Sequence, residues 1–170
     1  QYRISDNKDE SVHIARNFIL GKVHNSRWIL ERAVRDHSIR LDTENIKNKS
    51  MFLAQSMGKI RVCEHADELL GLEGEAASVY FSVFDDLILQ KAVFYFHGRN
   101  KRPPLDYVNA MLSFGYSLLA GMCGAALEAV GLDPYVGFFH TDRPGRMSLA
   151  LDLMEEFRSV MVDRFVLTLI

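Results

Sequence analysis

Residues Gly131–Arg158 read GLDPYVGFFHTDRPGRMSLALDLMEEFR, and the order of signals in that stretch decides the fold. Gly131 closes a long helical pattern and Pro134 lies just beyond it, the usual punctuation at a helix C-terminus. A polar turn follows, with His140 between the aromatic pair Phe138–Phe139 and the loop Thr141-Asp142-Arg143-Pro144-Gly145-Arg146. Ser148 is a favourable N-cap for the helix LALDLMEEFRSVMVDRFVLTLI behind it. On that helix Asp152, Glu155, Ser159 and Asp163 share one face, because steps of three and four residues return to the same side. A loop thus delivers an imidazole toward a helix carrying carboxylates. That is the beginning of a metal site, with one ligand still to be found.

Working outward, the remaining chain is helix after helix. Residues before about Asp6 read as a frayed leader. From Asn7 to about Asp36 a broad apolar stripe runs through Val12, Ala15, Ile19, Val23, Ile29 and Leu30. The insert GKVHNSR, Gly21–Arg27, reads as a polar patch on the solvent side of that helix. A second helix covers Glu44–Glu64, with Ile46, Phe52, Met57 and Ile60 inward. A short helical turn over Ala66–Leu70 is expected to break at Gly71. Beyond it, at about 100° per residue, Glu73, Ala76, Ala77, Tyr80 and Phe84 fall on one apolar face, whereas Glu75 points the opposite way. A carboxylate on a buried stripe is costly unless it is paired or holds a cation. Glu73 therefore needs a partner. Residues Asp85–Asp106 read as irregular surface chain carrying the basic cluster Arg99, Lys101 and Arg102. This is either a solvated loop or one that contacts phosphate. Asp106 then caps a helix running to about Val130, with Asn109 and Tyr116 two turns apart, either as donors supporting a site or as satisfied core residues. The fold class is all-α: a helical bundle with an irregular basic loop and a histidine-bearing loop, forming one domain over residues 1–170.

Composition narrows the function classes. Hydrophobic content of 48% and charged content of 25% are ordinary for a soluble globular protein. A net charge of −2 gives no global attraction to nucleic acid, so such binding needs locally gathered basic residues. Cys63 and Cys123 lack zinc-like spacing and read as buried free thiols. No run approaches the ~20 apolar residues of a membrane span, no signal peptide is present, and a reducing cytoplasm is the expected compartment. The chain opens on Gln1 without an initiator methionine and closes inside an apolar helix. It is therefore read as a piece of a longer polypeptide.

Of the six histidines, His140 stands apart because its loop is bounded by glycine and proline and leads directly into the carboxylate helix. The Asp152/Glu155 face lies opposite the apolar stripe Leu149, Leu153, Met154, Phe157 and Val160, which makes solvent exposure the default for it. Leu151, Val162 and Val166 flank that face and allow it partial cover. Glu73, His140 and Glu155 together supply one imidazole and two carboxylates. That mixed set suits Mg²⁺ or Mn²⁺, the single nitrogen favouring Mn²⁺. Such an ion polarises phosphoryl oxygens, and Arg143 and Arg146 carry forked donors suited to phosphate. Phosphodiester chemistry is the reaction class these parts favour. Rival constellations do worse. Glu10-x-x-His13 is the sole Glu-x-x-His, where a di-iron bundle uses two. A Walker A loop, a nucleophile elbow and a His-Glu-x-x-His motif are all absent. The competing class is a non-catalytic helical scaffold that binds DNA or a protein.

The stretches GKVHNSR, LEGEAASVYF, RPPLDYVNAMLSFGYSLL and PYVGFFHTDRPGRMSLALDLMEEFR together resemble the CRISPR-associated endonuclease-integrase of spacer adaptation. The likeness runs from the first helix to Ile170 and covers that family's helical C-terminal catalytic domain, without its N-terminal β-domain. The resemblance implies metal ligation by Glu73, His140 and Glu155, and a supporting role for Asp152. It places Lys22, Asn25, Asn109 and Tyr116 near the active cleft. It implies that a DNA 3′-hydroxyl attacks a phosphodiester, inserting a spacer precursor into the CRISPR repeat, and that branched or linear DNA is cleaved. It also implies a homodimer in the full-length protein and a small ferredoxin-like second adaptation protein as partner.

Overall fold

Seven helices dominate the computed structural model, which describes residues 1–141 and 143–170; Asp142 of the histidine loop lies outside the described residues. Helix α1 (Tyr2–Ser5) is a single turn, and α2 (Lys8–His37) is the 30-residue beam of the molecule. Helix α3 spans Thr43–Val62 and α4 spans Ala66–Ser82. A 3₁₀ turn at Asp85–Leu87 and an irregular basic loop lead to α5 (Tyr107–Ala129). Helix α6 (Ser148–Phe157) passes through a π-helical turn, Arg158–Asp163, into α7 (Arg164–Leu169). No strand occurs among the described residues.

Side-chain caps set three of the helix starts. The Asn7 side chain accepts from the backbone N–H groups of Asp9 and Glu10, Asp42 from that of Asn45, and Asp106 from that of Asn109. Each satisfies donors that a first turn leaves orphaned, an effect of about 1 kcal/mol per cap. Helix α2 packs against α3, α4 and α6, while α5 closes the bundle against α6 and the π turn. Ile19 and Leu30 of α2, Ile46 and Leu53 of α3, Leu69 of α4 and Leu112 of α5 are fully enclosed in one continuous core. Burial of each is worth roughly 1.5–3 kcal/mol relative to exposure. Cys63 and Cys123 are buried free thiols, as their spacing implies.

Several sequence expectations are corrected. The leader is not frayed: α1 forms, and the Gln1 amide donates to the carbonyls of Asp133 (2.6 Å) and Val136 (2.9 Å). Helix α4 runs unbroken through Gly71 and Gly74. Burial of Leu69, Ala76 and Tyr80 outweighs the ~1 kcal/mol that each helical glycine costs. Ser148 is the first helical residue rather than the cap, and its hydroxyl donates to the Thr141 carbonyl (3.3 Å). The apolar stripe expected on α6 is buried at Leu149 and Met154, but the acidic face opposite it is buried as well. Phe157 is exposed, while Asp152, Glu155, Ser159 and Asp163 are buried. Lys22 and Ser26 of the insert in α2 are buried too, facing α6 and the π turn rather than solvent. Finally, by length and composition α5 is long and apolar enough to cross a bilayer, contrary to expectation. In the fold it packs against α6 and buries Asn109 and Tyr116, while Phe114, Leu118 and Met122 on its other face are exposed.

Candidate active site

The site begins with Asp152, which is fully buried in α6. Its carboxylate accepts the backbone N–H groups of Phe138 (2.7 Å), Phe139 (3.0 Å) and His140 (2.9 Å), together with His140 Nδ1 (2.7 Å). One acid thus folds the histidine loop onto the helix. Gly137 is required for that approach: a Cβ there would stand 2.8 Å from Ser148 Cβ and 2.9 Å from Asp152 Oδ2. The bond to Asp152 assigns the Nδ1 hydrogen, so the lone pair of His140 Nε2 is left for a ligand. That nitrogen lies 4.0 Å from Glu155 Oε1.

Glu155, one turn beyond Asp152, is only 3% exposed. Lys22 of α2 brings it together with Glu73 of α4. The Lys22 ammonium ion-pairs with Glu73 Oε1 and stands 2.7 Å from Glu155 Oε2. Arg158 Nη2 adds a 2.6 Å bond to Glu155 Oε1. Burial alone would push the Glu155 carboxyl up, but the positive charges of Lys22 and Arg158 outweigh it and hold the group below its ordinary value. Helix α2 comes close enough to deliver Lys22 because residue 21 is glycine; a Cβ there would stand 2.8 Å from Glu156 Cγ.

Beneath this layer lies a hydroxyl–carboxylate network. Asp163 in the π turn accepts from Tyr80 (3.1 Å) and Tyr116, and all three side chains are buried. Burial raises Asp163 to about 6, against the donors that favour its charged form. Burial, reinforced by the Asp163 charge, keeps both phenols well above their usual range and so protonated as donors. Ser26 and Ser159 share a 2.7 Å hydrogen bond between α2 and the π turn.

The basic loop is moored by Asn109, whose side-chain oxygen accepts from Arg99 (2.7 Å) and the Asn100 N–H (3.0 Å) while its amide donates to the Gly98 carbonyl (2.9 Å). Arg99 is thereby held 5.3 Å from the Tyr116 ring centre, and Arg158 lies 4.8 Å from the same ring, both within cation–π range. Partial burial, then the charges of Arg158 and Arg99, hold Lys101 below its ordinary value. Arg102 and Arg143 are exposed, and Arg146 is half-buried in the turn that Arg143 opens. The Asn25 amide is engaged by the Glu156 carbonyl (2.8 Å), tying α2 to α6.

The structure therefore brings Glu73, His140, Glu155, Asp152 and Lys22 into one cluster, with Asn109, Tyr116 and Arg99 adjoining. Arg158, Asp163 and Tyr80 are the members that sequence reasoning missed as site residues. The one available signal for Arg158 was its i+3 spacing from Glu155. Among the described residues, no three His, Cys, Asp or Glu side chains form a cation-ready group, and the Lys22 ammonium pairs with both glutamates. The donor chemistry nonetheless fits a divalent cation. Glu155 Oε2 is buried without a well-aligned hydrogen bond, two carboxylates already share one positive charge, and an oriented imidazole nitrogen faces them.

A family model described as CRISPR associated protein Cas1 matches residues 1–170. The chain is 50% identical over 171 residues to a CRISPR-associated endonuclease Cas1 of Chlorobaculum tepidum, covering all of this chain and 50% of that protein. Among solved structures it is similar to a casposase bound to an integration product, with a TM-score of 0.83 and 31% identity over 99% of this chain and 48% of that one. A partial Cas6-RT-Cas1–Cas2 complex aligns with a TM-score of 0.85 and 28% identity, over 100% of this chain and 48% of the other. The chain thus spans about half the length of these relatives.

Proposed function

The chain belongs to the Cas1 family of CRISPR-associated proteins, and on that footing we propose that it is the helical catalytic part of a metal-dependent DNA endonuclease and integrase of CRISPR adaptation. One observation carries the reading: two carboxylates from different helices meet at a single ammonium, beside an imidazole whose free nitrogen is set by a buried acid. In the proposed reaction a DNA 3′-hydroxyl oxygen bonds to phosphorus and the original P–O3′ bond breaks. The hydroxyl proton is lost, and the departing 3′-oxygen ends protonated.

Glu73, His140 and Glu155 would hold Mg²⁺ or Mn²⁺, which when bound polarises a phosphoryl oxygen and eases charge at the attacking and leaving oxygens. Asp152 fixes the imidazole rotation and tautomer. Lys22 and Arg158 keep Glu155 ionised within a low-dielectric pocket. Asn109 and Tyr116 support the arginines that border it. Lys22, Asn25, Arg99, Lys101, Arg102, Arg143 and Arg146 are the proposed DNA-binding residues, all but Asn25 cationic. The same reading assigns spacer-precursor DNA and the CRISPR repeat as substrates, a homodimer in the full-length protein, a small ferredoxin-like second adaptation protein as partner, and a cytoplasmic setting.

Branched DNA incubated with Mn²⁺ is the test. Nicked product abolished by EDTA is expected, with His140→Ala losing about 10²-fold or more. Undiminished cleavage by His140→Ala refutes the ligand set. DNA binding without metal-dependent turnover, in the chain joined to the remaining segments of its longer relatives, favours the scaffold alternative.

A further inference from the structure

Helix α1 is a single turn with no buried residue, and one turn of helix does not hold itself together in water. What holds it is polar. The Ser11 hydroxyl of α2 donates to the carbonyls of Ile4 (3.0 Å) and Ser5 (3.3 Å). Three side chains of the opening segment then reach the stretch that leads into the histidine loop. The Gln1 amide donates to the carbonyls of Asp133 and Val136, and its oxygen accepts the Asp133 N–H (2.8 Å). The Tyr2 hydroxyl donates to Asp133 Oδ2 (2.8 Å), and the Ser5 hydroxyl to the Gly137 carbonyl (2.9 Å). These bonds span 131–135 positions along the chain.

The loop is gripped from two sides, and the two grips are complementary. Asp152 of α6 accepts the N–H groups of Phe138, Phe139 and His140. Gln1 and Ser5 donate to the carbonyls of Asp133, Val136 and Gly137 just before them. An irregular segment has no ladder of its own to satisfy its backbone groups, so α6 supplies an acceptor and the opening segment supplies donors. Toward the starts of α2 and α4 the loop borders an open cavity of about 580 Å³, whose lining includes Lys8, Asp9, His65, Phe139 and His140. That is the direction in which the loop can move once either grip is lost. The Ser5 bond falls three residues before His140, whose Nε2 stands 4.0 Å from Glu155 Oε1.

We propose that Gln1, Tyr2 and Ser5 are positioning residues for the His140 imidazole, a strap from the turn before α2 that sets how well Nε2 meets a divalent cation. The inference rests on the reading of His140 as a cation ligand and adds to it the residues that place its loop. Asp152 fixes the rotation and tautomer of the ring; the strap fixes where the loop carries that ring. Because α1 buries nothing, its contribution is local. Losing these bonds frees the loop without unpacking the core, which separates a positioning role from a merely structural one. A net intramolecular hydrogen bond shifts a local equilibrium by about fivefold, and groups that orient a metal ligand change metal affinity by about 10–100-fold.

The test combines Tyr2→Phe with Ser5→Ala, in the chain joined to the remaining segments of its longer relatives. Amide hydrogen exchange over residues 138–140, read by mass spectrometry, is expected to quicken about tenfold as the loop opens more often. Calorimetric affinity for Mn²⁺ should fall about tenfold, while the urea midpoint stays at the wild-type value. Ser5→Thr in place of Ser5→Ala keeps a hydroxyl donor and recovers most of both losses. Arg32→Gln, on a surface pair with Asp36, leaves all three readings unchanged. Should the double variant unfold, Ser5→Ala alone carries the result. Wild-type exchange in the folded variant overturns the strap, and faster exchange with wild-type Mn²⁺ affinity overturns its positioning role; both leave the proposed function standing. Failure of the wild-type chain to bind Mn²⁺ overturns this inference together with the ligand set.

Discussion

Replacing Lys22 by methionine exposes the central electrostatic arrangement. The ammonium is the common partner of Glu73 and Glu155, and the three side chains are 10%, 17% and 4% exposed. Removing one member of a buried ion pair costs about 3–5 kcal/mol, because a buried charge is left uncompensated. Here Arg158 still neutralises Glu155 and Glu73 has some access to water, so roughly 2–3 kcal/mol is expected. For a chain of this length about 1 kcal/mol moves the melting midpoint by about 2–4 °C, which gives a fall of about 4–12 °C without metal. Added Mn²⁺ should act in the opposite sense. In the wild type a cation must displace the ammonium from between the glutamates, whereas in Lys22→Met that place is open. The variant is therefore expected to bind Mn²⁺ more tightly by calorimetry and to recover more stability on addition of metal. Differential scanning calorimetry with and without Mn²⁺ reads both effects. Lys22→Met melting within 2 °C of wild type, or gaining no more from Mn²⁺, refutes the idea that Lys22 stands in the cation's place.

Two further outcomes follow from the acids on the same helix run. Asp152→Asn presents amide hydrogens to the loop N–H groups that Asp152 now accepts, so the His140 loop should loosen at a cost of about 2–4 kcal/mol. Metal affinity should fall about 10–100-fold, and calorimetric titration with Mn²⁺ checks this; unchanged affinity would remove Asp152 from its orienting role. Asp163, raised from 3.8 to about 6 by burial, binds its proton more tightly folded than unfolded. Its contribution to stability is complete below about pH 4 and is lost as pH rises through about 6, on the order of 3 kcal/mol in all. Asp163→Asn should flatten that dependence, gaining on wild type between pH 4 and pH 8 in urea unfolding; parallel curves would contradict it.

How far the sequence reached can be judged from particular residues. The helix starts at Asn7 and Asp106 were legible because a cap satisfies donors only two or three residues away. Glu73 was found by phase alone, since its position on the apolar face of α4 follows from helix geometry, and Glu75 is exposed as that phase requires. The acidic face of α6 was misread as solvent-exposed, although Leu149 and Met154 of the apolar stripe are buried as expected. Apolar content marked Phe157 for the interior, yet it is exposed while Asp152 and Glu155 are enclosed. Burial of those acids is offset by Lys22 and the loop N–H groups, which are distant in sequence, and by Arg158, one turn from Glu155. No hydrophobic pattern carries that information.

By itself the sequence determined an all-helical chain, a histidine loop facing a carboxylate helix, and a glutamate in need of a partner. Each of these is a matter of local periodicity, capping and turn chemistry. Only the tertiary structure decided that Lys22 joins Glu73 to Glu155, that Asp152 gathers the loop around one carboxylate, and that Tyr80 and Tyr116 converge on Asp163. The physical reason is that desolvation belongs to the packed molecule. A charge is costly or stable according to which donors other helices bring within about 3 Å, and their identity is fixed only when α2, α4, α5 and α6 close upon one another.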